Sequence, residues 1–320
     1  MEDNMGGVIT GSEIVTREHE AGSTLGVTVN DYCNLRCTHC YLPRDRDKDI
    51  KVIPDDLIKL YGDAEYQRMV VVGMEPFADL KTREATFKLL TVAGKKGSKL
   101  GVLTNGINLS ETDATRLKEL GVRYVDISMD GGSKTYQEIR RASFDKVKAG
   151  IDNALQAGLT VNILHTLFTQ NCTPSRIEDM LAVRKIMGGK GLILFSPYIP
   201  VADREAREAG LPAILSTLKA TSFVNTLDTF LMLDPLNTSV WGGIDSLAIK
   251  QLVQAHRLEE RVHLTSMEST HRVLRVTWDG FAVHPLDSVQ VLNYNAKGIK
   301  LNSSSDLKKI QDQLIEQSNS

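Results

Sequence analysis

Between residues 25 and 200, short apolar runs alternate with stretches whose hydrophobic positions recur at helical spacing. LGVTVN (25–30) reads as a strand, and MVVVG (69–73) is a continuous β-branched run of the kind buried on both faces of a sheet. KLGVLTN (99–105), VRYVDISM (122–129), TVNILHTL (160–167) and GLILFSPY (191–198) bring the number of predicted strands to six. The intervening segments read as helices. One starts at Pro54, a residue suited to a first turn, and puts Leu57, Ile58, Leu60 and Tyr61 on one face. A second covers about 80–93. A third opens on a capping-box pattern, Ser110 with Asp113, carries Ala114, Leu117 and Leu120, and stops at Gly121. A fourth runs through Phe144, Val147, Ile151 and Leu155 to Gly158, and a fifth opens at Thr173-Pro174.

Strands of the buried type alternating with helices imply parallel pairing and right-handed crossovers. The class is therefore α/β. Six consecutive units without a glycine-rich dinucleotide loop after the first strand favour a partial (β/α)6 barrel of the TIM type, with a doubly wound sheet as the competing architecture. Beyond residue 200 the alternation fades. Residues 204–233 are largely helical in pattern, 271–287 resemble a hairpin turning at Asp279-Gly280, and 302–320 read as a polar terminal helix. The expected organisation is an N-terminal segment (1–24), a barrel (25–200) and a C-terminal extension (201–320), helical with a β-hairpin near 272–287.

Composition narrows the classes. The chain has 320 residues, 42% of them hydrophobic, enough for a substantial core. Its 38 basic and 40 acidic residues nearly cancel, and 6% are aromatic, which argues against nucleic acid or an anionic membrane surface as partner. No apolar run approaches the ~20 residues that span a bilayer, and no signal pattern precedes residue 24, so a cytoplasmic location is expected.

Four cysteines are too few for a secreted disulfide framework, yet three of them crowd into YCNLRCTHCY (32–41), directly after the first strand. Three is an odd number for disulfides, and the polar residues between them, Asn34, Arg36, Thr38 and His39, do not suit a core. Thiolates grouped in this way hold metal. One reading is a structural zinc site in a binding module, but zinc usually draws paired ligands from two knuckles, and the second is missing. An iron–sulfur cube held by three thiolates suits the C-x3-C-x2-C spacing of Cys33, Cys37 and Cys40 better, and it leaves one iron open.

At this point the sequence resembles the radical S-adenosylmethionine (SAM) superfamily, in which that cysteine spacing follows the first strand of a partial barrel. Further motifs fall in the expected order at strand ends. GMEP (73–76) is similar to the family's GGEP, LTNG (103–106) to its TNG, and ISMDG (127–131) to its S-x-D-G, with Arg140 a short distance on. The resemblance spans roughly residues 25–200 and implies one [4Fe–4S] cluster on Cys33, Cys37 and Cys40, with SAM bound at the open iron. It further implies that His39 packs near adenine, and that Gly73, Met74, Glu75 and Pro76 meet the SAM ammonium, Glu75 through its carboxylate. Thr104 and Asn105 would reach the ribose, Ser128 and Asp130 the methionine end or ribose, and Arg140 the SAM carboxylate. Met74 departs from the family pattern, in which a second glycine is usual.

Cys172 follows the fifth strand, near the expected barrel mouth, where a thiol would donate a hydrogen atom to a substrate radical. A buried cysteine acting as a small hydrophobe is the plainer reading. The hairpin VTWDGFAVHPLD (276–287) is similar to the hairpin that opens an auxiliary-cluster region in peptide-modifying relatives, but His284 and Pro285 stand where a cysteine would follow. His284 and Asp287 are candidates for substrate contact or ordinary hairpin polar residues. One cysteine beyond the loop cannot supply a second four-thiolate cluster, so a single cluster is expected. Without an auxiliary cluster, and with only about 24 residues before the first strand, a small polar metabolite is the expected substrate and a peptide or protein side chain the alternative. A reducing partner such as flavodoxin or ferredoxin would supply the electron.

Overall fold

A computed structural model describes residues 24–40, 49–72, 74–167, 171, 177–188, 191–197, 238–241, 254–255, 262–265, 273–283 and 298–319. The six expected strands form as β1 (Thr24–Val27), β2 (Arg68–Val71), β3 (Lys99–Thr104), β4 (Val122–Ser128), β5 (Thr160–Leu167) and β6 (Ile193–Pro197). They lie side by side in chain order and pair in parallel throughout. Sequential order without a reversal is the winding of a barrel wall; a doubly wound sheet reverses at a switch point.

The wall continues further than the hydrophobic pattern suggested. Parallel strands β7 (Thr238–Trp241) and β8 (Val262–Thr265) extend it beyond β6. On the opposite side β9 (Val273–Val276) pairs in parallel with β1, and β10 (Phe281–Val283) and β11 (Ile299–Lys300) finish the edge antiparallel. Among the described residues the result is one eleven-stranded sheet that does not close, with β8 and β11 at its two ends. The C-terminal segment thus contributes strands to the barrel sheet itself. Its expected helical stretch, 204–233, lies outside the described residues.

The helices are α1 (Asp55–Gly62), α2 (Leu80–Gly94), α3 (Glu111–Glu119), α4 (Ser133–Arg140), α5 (Phe144–Gln156), α6 (Ile177–Ile186) and α7 (Ser304–Asn319). Local chemistry fixes several starts. Pro54 precedes α1, the Asp79 side chain accepts the Thr82 amide at the start of α2, and Ser110 and Asp113 form a reciprocal capping box on α3. The short helix α4 carries only Tyr136 and Ile139 as large buried apolar positions, too few to show a period in the sequence.

Strand alternation sorts β4 into two faces. Val125 and Ile127 are buried in the core, with Ile127 and Val147 of α5 both packed against Gly106. Tyr124 faces the other way, its ring lying over Gly101 so closely that a Cβ there would stand 2.3 Å from it. Gly150 of α5 approaches the turn after β3 equally closely, since a Cβ would fall 2.0 Å from the Gly106 carbonyl oxygen. Two glycines therefore let a helix and a ring press against β3, and this sets the Thr104–Gly106 turn in place.

Candidate functional site at the carboxyl ends of the strands

The cysteine loop leaves β1 through Asn30, which is fully buried and works as a staple. Its amide nitrogen donates to the Tyr32 carbonyl at 2.9 Å, to the Glu75 carbonyl at 3.2 Å and to Thr82 Oγ1 at 3.2 Å, while its oxygen accepts the Glu75 amide at 3.4 Å. The loop start is thereby tied to the turn after β2. Its far end rests on α4, where the Thr38 amide and hydroxyl donate to the Ile139 carbonyl at 2.8 and 3.2 Å. Cys33 and Cys37 lie between these anchors and Cys40 two residues past Thr38; all three are half-buried and none is in a disulfide.

The three thiols sit within one another's electrostatic field. Burial, then the Glu75 carboxylate, then Cys37 and Cys40 push the Cys33 thiol up to about 11. Burial also raises Cys37, and the Arg140 guanidinium pulls it back. Two donors lean toward these sulfurs. Asn105 Nδ2 lies 3.8 Å from Cys33 Sγ, and Arg140 Nη1 lies 4.0 Å from Cys37 Sγ.

Behind the donors stands a buried polar frame. Arg140 Nε donates to Asp130 Oδ2 at 2.5 Å, and Asp130 Oδ1 accepts the Thr166 amide of β5 at 2.8 Å. Burial works against the Asp130 charge, but Arg140 and then His39 outweigh it and hold the carboxyl below the usual carboxylate range. The same pair raises the Arg140 pKa despite its burial. Asn105 is held through its backbone amide, which donates to Glu75 Oε2 at 2.7 Å, while its side chain also donates to Asn34 Oδ1 at 2.8 Å.

The structure thus brings together most of the residues singled out from the sequence, in altered relations. Glu75 is 1% exposed, and its Oε1 accepts Thr104 Oγ1 at 2.5 Å and the Phe77 amide at 3.0 Å. Both its oxygens are engaged by the protein, so its geometry is that of a brace between the ends of β2 and β3. Burial pushes its carboxyl up to about 7, against those donors. Thr104 is likewise turned inward, donating to Glu75 and accepting the Gly106 amide at 3.0 Å. Arg140 donates through its Nε to Asp130. Met74 and Ser128 are half-buried at the ends of β2 and β4, and Pro76 accepts Thr86 Oγ1 through its carbonyl. Burial draws the His39 imidazole down to about 4, leaving it neutral. Gly73, Cys172, His284 and Asp287 lie outside the described residues.

Sequence reasoning passed over several members of the site. Asn30 and Asn34 flank the cysteines without belonging to a recognisable spacing. Asp126 and Asn162, paired in register on β4 and β5, hydrogen-bond at 2.9 Å and give the Tyr124 face of the wall a polar stretch. His165 and Asn171 support Asp130 from below, with Asn171 Nδ2 3.2 Å from the Asp130 carbonyl and 3.2 Å from His165 Nε2. Tyr136 shares a face of α4 with Arg140 by its spacing of four residues. For Asn30, Asn34 and Asn171 the signal that would have found them is position, just beyond the carboxyl ends of parallel strands, where such folds collect their chemistry.

The site fits a sulfur-ligated iron cluster. Three thiolates in one partly buried loop repel each other, and a cationic centre relieves that cost. All-thiolate donation with amide and guanidinium donors near sulfur is the environment iron–sulfur clusters use.

Comparison with known proteins gives the class. Residues 27–182 match the sequence profile of the Radical SAM superfamily. The chain is 31% identical over 170 residues to the Fe-coproporphyrin III synthase of Methanosarcina barkeri, an alignment covering 48% of this chain and 39% of that protein. It is 29% identical over 207 residues to a GTP 3',8-cyclase of Rhizobium etli, covering 61% of this chain and 57% of that one. The matched region thus spans between two-fifths and three-fifths of these relatives. Among solved structures, Streptococcus suis SuiB bound to precursor peptide SuiA superimposes with a TM-score of 0.67 at 13% identity, over 94% of this chain and 67% of that one. anSMEcpe with bound AdoMet gives 0.62 at 17% identity, over 92% and 77%. Residues 27–182 of the barrel thus match the radical SAM superfamily, whose members use a [4Fe–4S] cluster and SAM. That match favours a cluster over the zinc-stabilised binding module as an account of the cysteine loop.

Proposed function

We propose that this protein is a radical SAM enzyme that holds one [4Fe–4S] cluster on Cys33, Cys37 and Cys40 and acts on a small polar molecule. When bound, the reduced cluster supplies the electron that splits SAM into methionine and a 5′-deoxyadenosyl radical able to take hydrogen from a substrate. The carrying observation is the grouping of three half-buried thiols at the strand ends, with Asn105 Nδ2 and Arg140 Nη1 directed at two of the sulfurs.

The chain's own residues position and shield. Asn30 and Thr38 anchor the loop on either side of Cys33 and Cys37 and so restrain its path before any metal arrives. Glu75 braces Thr104 and Asn105, and Asp130 orients Arg140, which brings a fixed positive charge to the Cys37 side of the site. Gly73, Met74, Pro76, Ser128 and the half-buried His39 would meet SAM directly. In this reading Glu75, Thr104, Asp130 and Arg140 serve SAM mainly by holding the groups that touch it.

A polar substrate is supported by the Asp126–Asn162 pair on the wall and by relatives whose names give GTP and a porphyrin as their subjects. A peptide substrate is the second reading. It is favoured by the extent of the likeness to SuiB, which reaches past the barrel into the C-terminal segment, although that likeness concerns fold alone. A flavodoxin or ferredoxin type of reductant and a cytoplasmic setting complete the proposal. No helix among the described residues is long and apolar enough to cross a membrane.

Anaerobic reconstitution is expected to load ~4 irons per chain, with absorbance near ~400 nm. Incubation with SAM and reductant should then yield 5′-deoxyadenosine whose formation rises with the right substrate. A nucleotide and sugar panel tested beside short peptides separates the two readings. Protein that takes up only zinc overturns both.

A further inference from the structure

The Tyr136 hydroxyl is a buried polar group near the cysteine loop that the account above leaves unused. Tyr136 is 0% exposed, and its Oη has no hydrogen-bond partner among the described residues. Burying a hydroxyl without a partner costs free energy, so its persistence at a polar site calls for an acceptor. The ring is fixed: it packs edge-on to Phe144 with centroids 5.9 Å apart, and its backbone lies one helical turn before Arg140 on α4. Tyr136 shares its face of α4 with Arg140, whose Nη1 lies 4.0 Å from Cys37 Sγ, and that face is the one turned to the cysteine loop; the nearby charges of Arg140, Cys37, Asp130 and Glu75 agree with this. The protein groups in that field do not take its proton. Asp130 is committed to Arg140 and Thr166, and both Glu75 oxygens are committed to Thr104, Asn105 and Phe77.

We infer that Tyr136 is a positioning residue whose hydroxyl donates a hydrogen bond to a sulfur at the Cys37 corner of the iron–sulfur cluster. The inference rests on the cluster reading proposed above. Its acceptor is the Cys37 thiolate or an adjacent sulfide, the electron-rich atoms that a cluster would bring to this corner. A hydrogen bond to cluster sulfur stabilises the more negative, reduced state and so raises the reduction potential. Arg140 Nη1, 4.0 Å from Cys37 Sγ, acts on the same corner. Tyr136 and Arg140, one turn apart on α4, would together make that helix the element that sets the potential.

The test is Tyr136→Phe, which keeps the ring and its packing on Phe144 and removes only the orphan hydroxyl. Two measurements are made on anaerobically prepared protein beside wild type. In the metal-free form the urea midpoint of the variant should equal or exceed that of wild type, because an unpartnered buried group has been deleted. After reconstitution both proteins should hold ~4 irons per chain, and the variant's cluster should titrate at a more negative potential with altered electron paramagnetic resonance of the reduced state. Equal iron with equal potential overturns the role of Tyr136 and leaves the cluster intact. Iron-free wild type overturns the cluster and the role of Tyr136 together. Tyr136→Trp, which restores an N–H donor on a larger ring, provides a second arm: partial return of the potential supports donation to sulfur.

Discussion

Asp130 and Arg140 form the most deeply buried ion pair of the site, with side-chain exposures of 0% and 10% and an N–O distance of 2.5 Å. Replacing Asp130 by Asn removes the charge and keeps the shape. The single amide oxygen can then take only one of the two positions, accepting from Arg140 Nε or from the Thr166 amide, and the amide NH2 faces the other donor. Removing one partner of a buried pair typically costs about 3–5 kcal/mol, because the surviving charge has no compensation. Against a total stability of about 5–15 kcal/mol, that loss would lower the urea midpoint by a third or more in most cases. Arg140→Met should cost a similar amount, since it strands the Asp130 carboxylate. The double variant is the discriminating one. It leaves no unpaired charge, and the Asn oxygen has only the Thr166 amide to accept. Its destabilisation is expected to fall short of the sum of the singles by at least about 2 kcal/mol, within the range of direct coupling. Urea unfolding of the metal-free proteins, followed by circular dichroism at constant slope, measures all three. Additivity within about 0.5 kcal/mol would refute the claim that these charges exist for one another.

Two further outcomes follow from the same framework. Burial draws the His165 imidazole from 6.5 down to about 4, so the folded protein takes up its proton later than the unfolded chain as pH falls. Its stabilising contribution is therefore complete above the unfolded value and is lost toward pH 4; between pH ~7.5 and ~5 the loss is about 2 kcal/mol. Wild type should lose that much stability relative to His165→Gln across the interval in urea titrations, and parallel pH profiles would contradict it. Cys172→Ala tests the hydrogen-donor proposal. A changed product distribution or accumulated radical is expected if the thiol quenches a substrate radical, and the same product at the wild-type rate removes the idea.

Much of the wall could be read directly. The runs that became β2, β3, β4 and β5 are apolar enough to be buried wherever they pair, and Ser110, Asp113 and Pro54 carry their helix starts in local chemistry. These are short-range properties, so they survive without knowledge of the rest of the chain. Strands β7 and β8 gave no such signal, because four residues at the margin of a sheet are specified mainly by the neighbour that accepts their backbone bonds; the hairpin read at Asp279-Gly280 forms as β9 and β10, but its parallel pairing with β1 carried no mark in the sequence. The helix α4 was hidden for the same reason: two apolar positions in one short segment show no period.

The cysteine spacing and the order of the strand-end motifs were determined by sequence alone, since ligand type and chain order are covalent facts. The directions of the side chains were not. Glu75 turned inward to Thr104 and Asn105, Arg140 closed on Asp130, and Asn30 and Tyr136 joined the site from positions that no motif marks. Those choices depend on which donor and acceptor lie within about 3 Å once separate strands are laid side by side, and hydrogen bonding at that range is decided by packing.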